Sequence, residues 1–159
     1  KSAQLPIHFT GETDHPMHSC WLSLFHESAD SLLYLVTETV ANGHRQHLTE
    51  KTFKPIAMGM PFVLVATAGS LEYLRSYGFR TFADIWDESY DNHDDTERIV
   101  SIAKILQDIS RWSPREMQQA QKNLTTAIQH NYQWFYGGFK RDGVSLLEDE
   151  DLKDLIRSF

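Results

Sequence analysis

Two short apolar runs with a helix start between them are the feature that most constrains the fold of this chain. The runs cover residues 32–37 and 62–66. An apolar run of this length is typical of a parallel strand that is covered on both faces. Residues 49–58 lie between the runs and predict a helix that Gly59 ends. Because two buried strands joined by a helix form a right-handed βαβ crossover, we expect an α/β fold.

The start of that helix carries an informative pair of charges. Thr49 is a residue type that caps free backbone N–H groups, and Glu50 and Lys51 follow it directly. A lysine is unfavourable at the positive end of the helix dipole unless an anion binds beside it. Backbone N–H groups and the ammonium would together hold a phosphate, while Glu50 would accept hydrogen bonds from a ribose. The alternative is that Lys51 and Lys54 are only solvated.

Further polar residues lie where the predicted strands end, which is where open parallel sheets bind ligands. Glu38 follows the first run, and Gly69 and Ser70 follow the second. Arg45 precedes the helix, where its guanidinium would clamp a diphosphate with two hydrogen bonds. The alternatives are a surface carboxylate, a plain helix cap and a solvent-exposed arginine. The predicted substrate-binding residues are Glu38, Arg45, Thr49, Glu50, Lys51, Gly69 and Ser70.

Residues 32–91 resemble the donor-binding half of a GT-B glycosyltransferase. In the α-1,3-fucosyltransferases a strand ending in Glu-Ser or Glu-Thr precedes a Thr-Glu-Lys helix start, as Glu38-Thr39 precedes Thr49-Glu50-Lys51 here. The chain is more similar still to phage and marine-bacterial proteins that carry the motif Thr-Glu-Lys-Thr-Phe-Lys-Pro-Ile, together with the runs found here at 71–75, 78–82 and 87–91. The fucosyltransferases lack the Lys-Pro-Ile continuation, so the resemblance does not identify the donor sugar.

The resemblance implies a Rossmann-like parallel sheet flanked by helices, which is one half of a GT-B fold, followed by long C-terminal helices. It assigns ribose and pyrophosphate contacts to Glu50 and Lys51, and it implies sugar transfer from a nucleoside-diphosphate donor. Lys51 and helix N–H groups would neutralise the leaving diphosphate without a metal or cofactor. No catalytic base is identified, and an acceptor-binding domain or partner chain would supply the missing half. The alternative is a non-catalytic α/β module for binding or assembly.

The rest of the chain predicts extensions around one domain. Residues 1–31 would form an N-terminal arm and a helix at 17–29, residues 32–138 the nucleotide-sugar-binding domain, and residues 139–159 an acidic tail with a small terminal helix. A whole GT-B enzyme needs two such domains, so we expect a fragment or a processed product of a larger enzyme. The aromatic residues 134–136 either pack in the core or anchor a partner domain.

Several smaller elements follow from spacing and capping signals. Residues 71–76 predict a short helix that Gly78 ends, residues 79–82 a brief strand, and residues 85–95 an acidic loop anchored by Trp86 and Tyr90. A helix after Asp94 has its apolar stripe at residues 99, 102, 103, 106 and 109. The capping box 113–116 begins a last long helix that passes residues 117, 120, 124, 128 and 132.

Composition excludes several function classes. A formal net charge of −7 argues against a dedicated nucleic-acid binder, which neutralises phosphates with Lys and Arg. The single cysteine, Cys20, leaves no internal disulfide and favours a cytoplasmic location. No apolar run of about eighteen residues predicts a membrane span. The group His15, His18, Cys20 and His26 matches no zinc-binding spacing, so we expect no metal.

Overall fold

The computed structural model describes residues 28, 30–138, 140–141 and 144–145. The predicted helix at 17–29, apart from residue 28, the histidine–cysteine group and the terminal helix of the tail lie outside this part of the chain. The described residues form a mixed α/β structure with four α-helices. In chain order its elements are β1 (Tyr34–Thr37), α1 (Glu50–Ala57), β2 (Phe62–Val65), α2 (Ser70–Ser76), a 3₁₀ turn (Ser89–Asn92), α3 (Asp95–Ser110), α4 (Pro114–Gly137), β3 (Lys140–Arg141) and β4 (Val144–Ser145).

The sheet around the predicted crossover has two strands in the described residues. β1 and β2 pair in parallel, with Tyr34 opposite Phe62 and Thr37 opposite Val65. The predicted parallel pair joined by a helix is therefore confirmed. β3 and β4 form a separate antiparallel pair in the segment predicted as a tail.

The two strands differ in how deeply they are buried. Phe62, Val63 and Leu64 of β2 are buried, as the apolar run predicts. In β1 only Val36 is buried, whereas Leu35 is 42% exposed. The prediction that both faces of β1 are covered is therefore wrong, because alternate side chains of this strand point toward solvent.

The backbone hydrogen bonds show which way each strand residue faces. The N–H of Tyr34 donates to the carbonyl of Pro61 at 2.8 Å, and the N–H of Glu38 donates to the carbonyl of Val65 at 2.9 Å. Since backbone groups alternate between the two sides of a strand, those of Leu35 and Thr37 point away from β2. β1 thus has one paired side and one outward side.

The acidic loop covers the opposite side of β2. Trp86 and Tyr90 are buried, which confirms that they anchor this loop, and the loop also contains the 3₁₀ turn. The N–H of Leu64, which points away from β1, donates to the Tyr90 hydroxyl at 3.4 Å. A side chain therefore occupies the position that a third strand would take beside β2.

The segment predicted as a brief strand at residues 79–82 is not a strand. The side-chain amide of Asn131 bonds both backbone groups of Arg80: the Arg80 N–H donates to Oδ1 at 2.7 Å, and Nδ2 donates to the Arg80 carbonyl at 2.8 Å. The N–H of Phe82 donates to Glu88 at 2.7 Å. Side chains satisfy this backbone, so it needs no neighbouring strand.

α3 starts after Asp94 as predicted, but its buried stripe is shifted. Asp94 caps it by accepting from two backbone N–H groups, and Arg111 follows its last residue. Ile99 is 48% exposed and Ala103 is exposed as well, so the predicted stripe is partly wrong. Arg98 takes an inner position with 1% exposure, because its guanidinium bonds to surrounding carbonyls, as described below. The buried residues are Arg98, Ile102, Ile105 and Ile109.

α4 confirms the capping box, and its aromatic end is only partly packed inside. The Ser113 hydroxyl accepts from the Glu116 N–H, and the Glu116 carboxylate accepts from the Ser113 N–H at 2.8 Å. Ala120 and Leu124 are buried, while Met117 and Tyr132 are exposed. Phe135 packs against the core, and the Tyr136 hydroxyl donates to the Ala57 carbonyl at 3.1 Å. Trp134 is 36% exposed, although its indole donates to the Tyr77 carbonyl at 2.7 Å. The prediction of core packing therefore holds for part of this segment, and the prediction that it anchors a partner domain stays open.

Candidate functional site

A cleft of about 310 Å³ lies beside β1 and the first turn of α1. All four β1 residues, 34–37, form one wall. Glu50, Lys51 and Lys54 of α1 form the other. Two of the seven predicted substrate-binding residues, Glu50 and Lys51, therefore line one cavity beside β1.

Glu50 and Lys51, the two charged residues at the start of α1, form an ion pair beside this cleft. Lys51 Nζ lies 2.9 Å from Glu50 Oε1 and donates to the Thr39 hydroxyl at 3.3 Å. Both side chains are nearly half exposed, and the hydrogen bond from Lys51 lowers the pKa of Glu50. An exposed ion pair of this kind contributes at most about 1 kcal/mol. An incoming anion can therefore replace Glu50 at the ammonium with little loss of stability.

Glu38 and Thr49 lie beneath this surface and hold the helix start together. One Glu38 oxygen accepts from the Thr49 N–H at 2.8 Å and from the Thr52 hydroxyl at 2.6 Å, and the other accepts from the Thr49 hydroxyl at 2.6 Å. The Thr49 hydroxyl in turn accepts from the Lys51 N–H at 3.3 Å. Glu38 is buried. Its carboxylate thus acts as a cap supplied by the preceding strand.

A second carboxylate caps the start of α2, beside the predicted substrate-binding residues Gly69 and Ser70. Asp91 accepts from the N–H groups of Leu71 and Glu72 at 3.0 and 3.1 Å, and its carbonyl accepts from the Gly69 N–H at 2.8 Å. Asp91 is buried, and so is Ser70. The positive end of this helix therefore faces an anion of the chain itself.

The loop before α1 covers the same turn from the other side. Gly69 has a φ of 76°, and a Cβ added to it would lie 2.5 Å from the side-chain nitrogen of Gln46. The Thr67 hydroxyl donates to the Arg45 carbonyl at 3.1 Å. The Arg45 side chain is exposed and is not part of the cleft wall. Its proposed contact with a diphosphate stays a prediction.

Sequence reasoning missed the arginine that holds this loop. Arg98 donates to the His93 carbonyl at 2.8 Å and to the Ala41 carbonyl at 3.2 Å, and it pairs with Asp95. Asp95 also accepts from the Gly43 N–H at 3.2 Å, which together with Arg98 lowers its pKa. No local pattern predicts contacts that join residues more than fifty positions apart.

The described residues contain no group of three or more His, Cys, Asp or Glu side chains placed to hold a metal ion. The histidine–cysteine group of the N-terminal segment lies outside them. Within the same residues, none of the helices combines the length and the apolar character needed to cross a bilayer.

The chain was compared with protein-family models, with curated proteins and with solved structures, and none of the three comparisons gave a match. The resemblance to glycosyltransferases therefore depends on short motifs. Any functional conclusion depends on the geometry of the cleft beside β1.

Proposed function

We propose that this chain binds a nucleoside-diphosphate sugar in the cleft between β1 and α1, as the donor-binding part of a Rossmann-like glycosyltransferase domain. One observation carries the proposal: Lys51 and Lys54 lie on one wall of a cavity that borders β1 and the start of the crossover helix. Open α/β sheets bind ligands beyond the carboxyl ends of their strands, and the start of α1 lies at that end of β1, where Thr49 bonds to Glu38.

The residues of the cleft suit the separate parts of such a donor. Lys51 and Lys54 are three positions apart on α1, so both ammonium groups approach the same side of the helix. They offer charge-assisted hydrogen bonds to a diphosphate. Glu50, once released from Lys51, accepts hydrogen bonds from ribose hydroxyls. Tyr34 also lines this cavity, and its side chain packs partly against the hydrophobic core.

The lysine side chains, rather than helix N–H groups, carry the anion contact in this proposal. Glu38 accepts hydrogen bonds at the start of α1, and Asp91 does so at the start of α2. A diphosphate bound at Lys51 needs neither carboxylate to move. Fixed ammonium groups beside the leaving diphosphate would stabilise the negative charge that develops during sugar transfer.

Calorimetric titration with UDP- and GDP-sugars tests the proposal. Lys51→Ala and Lys54→Ala should each weaken binding by roughly tenfold to a hundredfold, because a hydrogen bond to a charged group contributes about 1.5–3 kcal/mol. Lys104→Ala is the matched control, since Lys104 is exposed on α3 and lies away from the cleft wall. The proposal fails if no donor binds, or if all three variants bind like the unmodified chain.

A non-catalytic binding module is the second candidate. The observation that favours it is the pair of carboxylates, Glu38 and Asp91, which satisfy both helix starts at the sheet without a ligand. Retention of the fold with no affinity for any nucleotide in the titration above would support this candidate.

A further inference from the structure

The two outer edges of the β1–β2 sheet differ in whether their backbone groups have hydrogen-bond partners. On the outer side of β2, the Leu64 N–H is satisfied by the Tyr90 hydroxyl, and the Tyr90 ring is buried. On the outer side of β1, the backbone groups of Leu35 and Thr37 face the cleft. No residue that the structure describes hydrogen-bonds to them. Among the described residues of this two-stranded sheet, the outer edge of β1 is therefore the one available for further pairing.

We propose that the outer edge of β1 accepts an additional β-strand from an extended acidic segment of another protein. In this mode of recognition, main-chain hydrogen bonds supply affinity and the pockets beside the strand select alternate side chains. Leu35 and Thr37 each present one N–H donor and one carbonyl acceptor, so a strand of about four to six residues matches the length of β1. The inference rests on the strand edge and not on the proposed function, although a strand and a nucleotide would compete for the same cleft.

The charged residues of the cleft indicate that the partner strand is acidic. Two lysines, Lys51 and Lys54, and a single carboxylate, that of Glu50, form the wall opposite the strand edge. A strand seated at the edge would bring alternate side chains toward this wall. Acidic side chains there would pair with the ammonium groups, and an apolar side chain would cover Leu35, which is 42% exposed.

The same charges disfavour a second copy of the chain as the occupant. Pairing of two β1 edges would bring the lysines of both copies together, and lysine beside an exposed edge is a device that prevents such association. An acidic strand meets opposite charges instead. The partner is therefore a different polypeptide with a strand-forming, acidic sequence.

The probe is a fluorescein-labelled hexapeptide of alternating valine and glutamate, followed by fluorescence anisotropy. A peptide of the same sequence with methylated amide nitrogens is its control, because it keeps the charge but cannot donate main-chain hydrogen bonds. We expect saturable binding of the first peptide and at least tenfold weaker binding of the second. Equal binding of both would mean that charge alone attracts the peptide, and it would overturn the proposal, as would no binding of either.

Two substitutions at one position test the strand edge itself. Thr37→Pro removes the outward N–H, which β2 does not use, and proline is tolerated on edge strands. Thr37→Val keeps that N–H and changes only the side chain. We expect Thr37→Pro to lose at least tenfold in peptide affinity and Thr37→Val to bind normally. Unchanged binding by Thr37→Pro would overturn the proposal; if circular dichroism shows that this variant is unfolded, the methylated peptide decides on the unmodified chain.

Two further outcomes distinguish strand binding from self-association of the chain and from nucleotide binding. A dimer in sedimentation experiments that Thr37→Pro abolishes would show that the edge pairs with a second copy, and it would overturn the choice of partner. Nucleotide binding is measured on the unmodified chain, and it should weaken in Lys51→Ala. Failure of peptide binding with intact nucleotide binding therefore refutes the strand proposal alone, whereas the reverse result refutes the nucleotide proposal alone.

Discussion

Replacing Glu38 with alanine should be among the most destabilising single changes around the cleft. The carboxylate accepts three hydrogen bonds, from the Thr49 N–H, the Thr49 hydroxyl and the Thr52 hydroxyl. The Thr52 side chain is fully buried, so its hydroxyl finds no water in place of the carboxylate. Hydrogen bonds to a charged group contribute about 1.5–3 kcal/mol each, and those that share one carboxylate are not additive. We therefore expect a loss of about 3–4 kcal/mol.

Urea and thermal unfolding followed by circular dichroism measure this loss. For a chain of this length, each 1 kcal/mol lowers the midpoint temperature by about 2–4 °C, so the expected decrease is roughly 10 °C. Asp84→Ala, a change at an exposed loop carboxylate, is the matched control and should be near neutral. In a Thr52→Val background, Glu38→Ala should cost less, because one of its partners is already absent. A loss below about 1 kcal/mol, or equal losses in the two backgrounds, would refute the role of Glu38 as a helix cap.

Three other substitutions have expected outcomes of comparable clarity. Gly69→Ala should destabilise the fold more than Gly43→Ala, because both glycines have a positive φ but only the first would bring its Cβ against Gln46; the difference in unfolding free energy measures that contact. Burial raises the pKa of Glu88 above its ordinary value of 4.5, so the stability that its protonated form contributes is full below pH 4.5 and is lost as the pH rises through the raised pKa. The free energy of unfolding of the unmodified chain, relative to Glu88→Gln, should therefore fall between pH 4.5 and neutrality. A difference that stays constant with pH in urea unfolding would contradict this. Arg98→Met should destabilise by about 2–4 kcal/mol in the same assay, because two backbone carbonyls lose their arginine donor and Asp95 loses its ion-pair partner.

Local signals in the sequence predicted the local structure well. The capping residue Thr49, the Asp94 cap and the Ser113 capping box lie at the starts of their helices. Gly78, with a φ of 88°, follows α2 as a helix-ending glycine should. These features depend on residues within one helical turn of each other, so a single sequence contains the information.

Contacts between distant residues were not predictable in the same way. Asp91 caps a helix that begins more than twenty residues earlier, and Arg98 reaches a loop more than fifty residues away. Glu38 was identified as a site residue from its place after an apolar run. Its bonds to Thr49 and Thr52 depend on how α1 packs back against β1, which periodicity alone does not determine.

The aromatic end of α4 has a mechanical consequence. His130 and Gly78, Asn131 and Arg80, and Trp134 and Tyr77 are three side-chain-to-backbone pairs that join one stretch of α4 to one short segment of chain. A translation of the helix by one turn, about 5.4 Å, would break all three pairs together, so intermediate positions have no compensating contacts. The three pairs therefore fix where α4 sits along its own axis relative to the segment that follows α2.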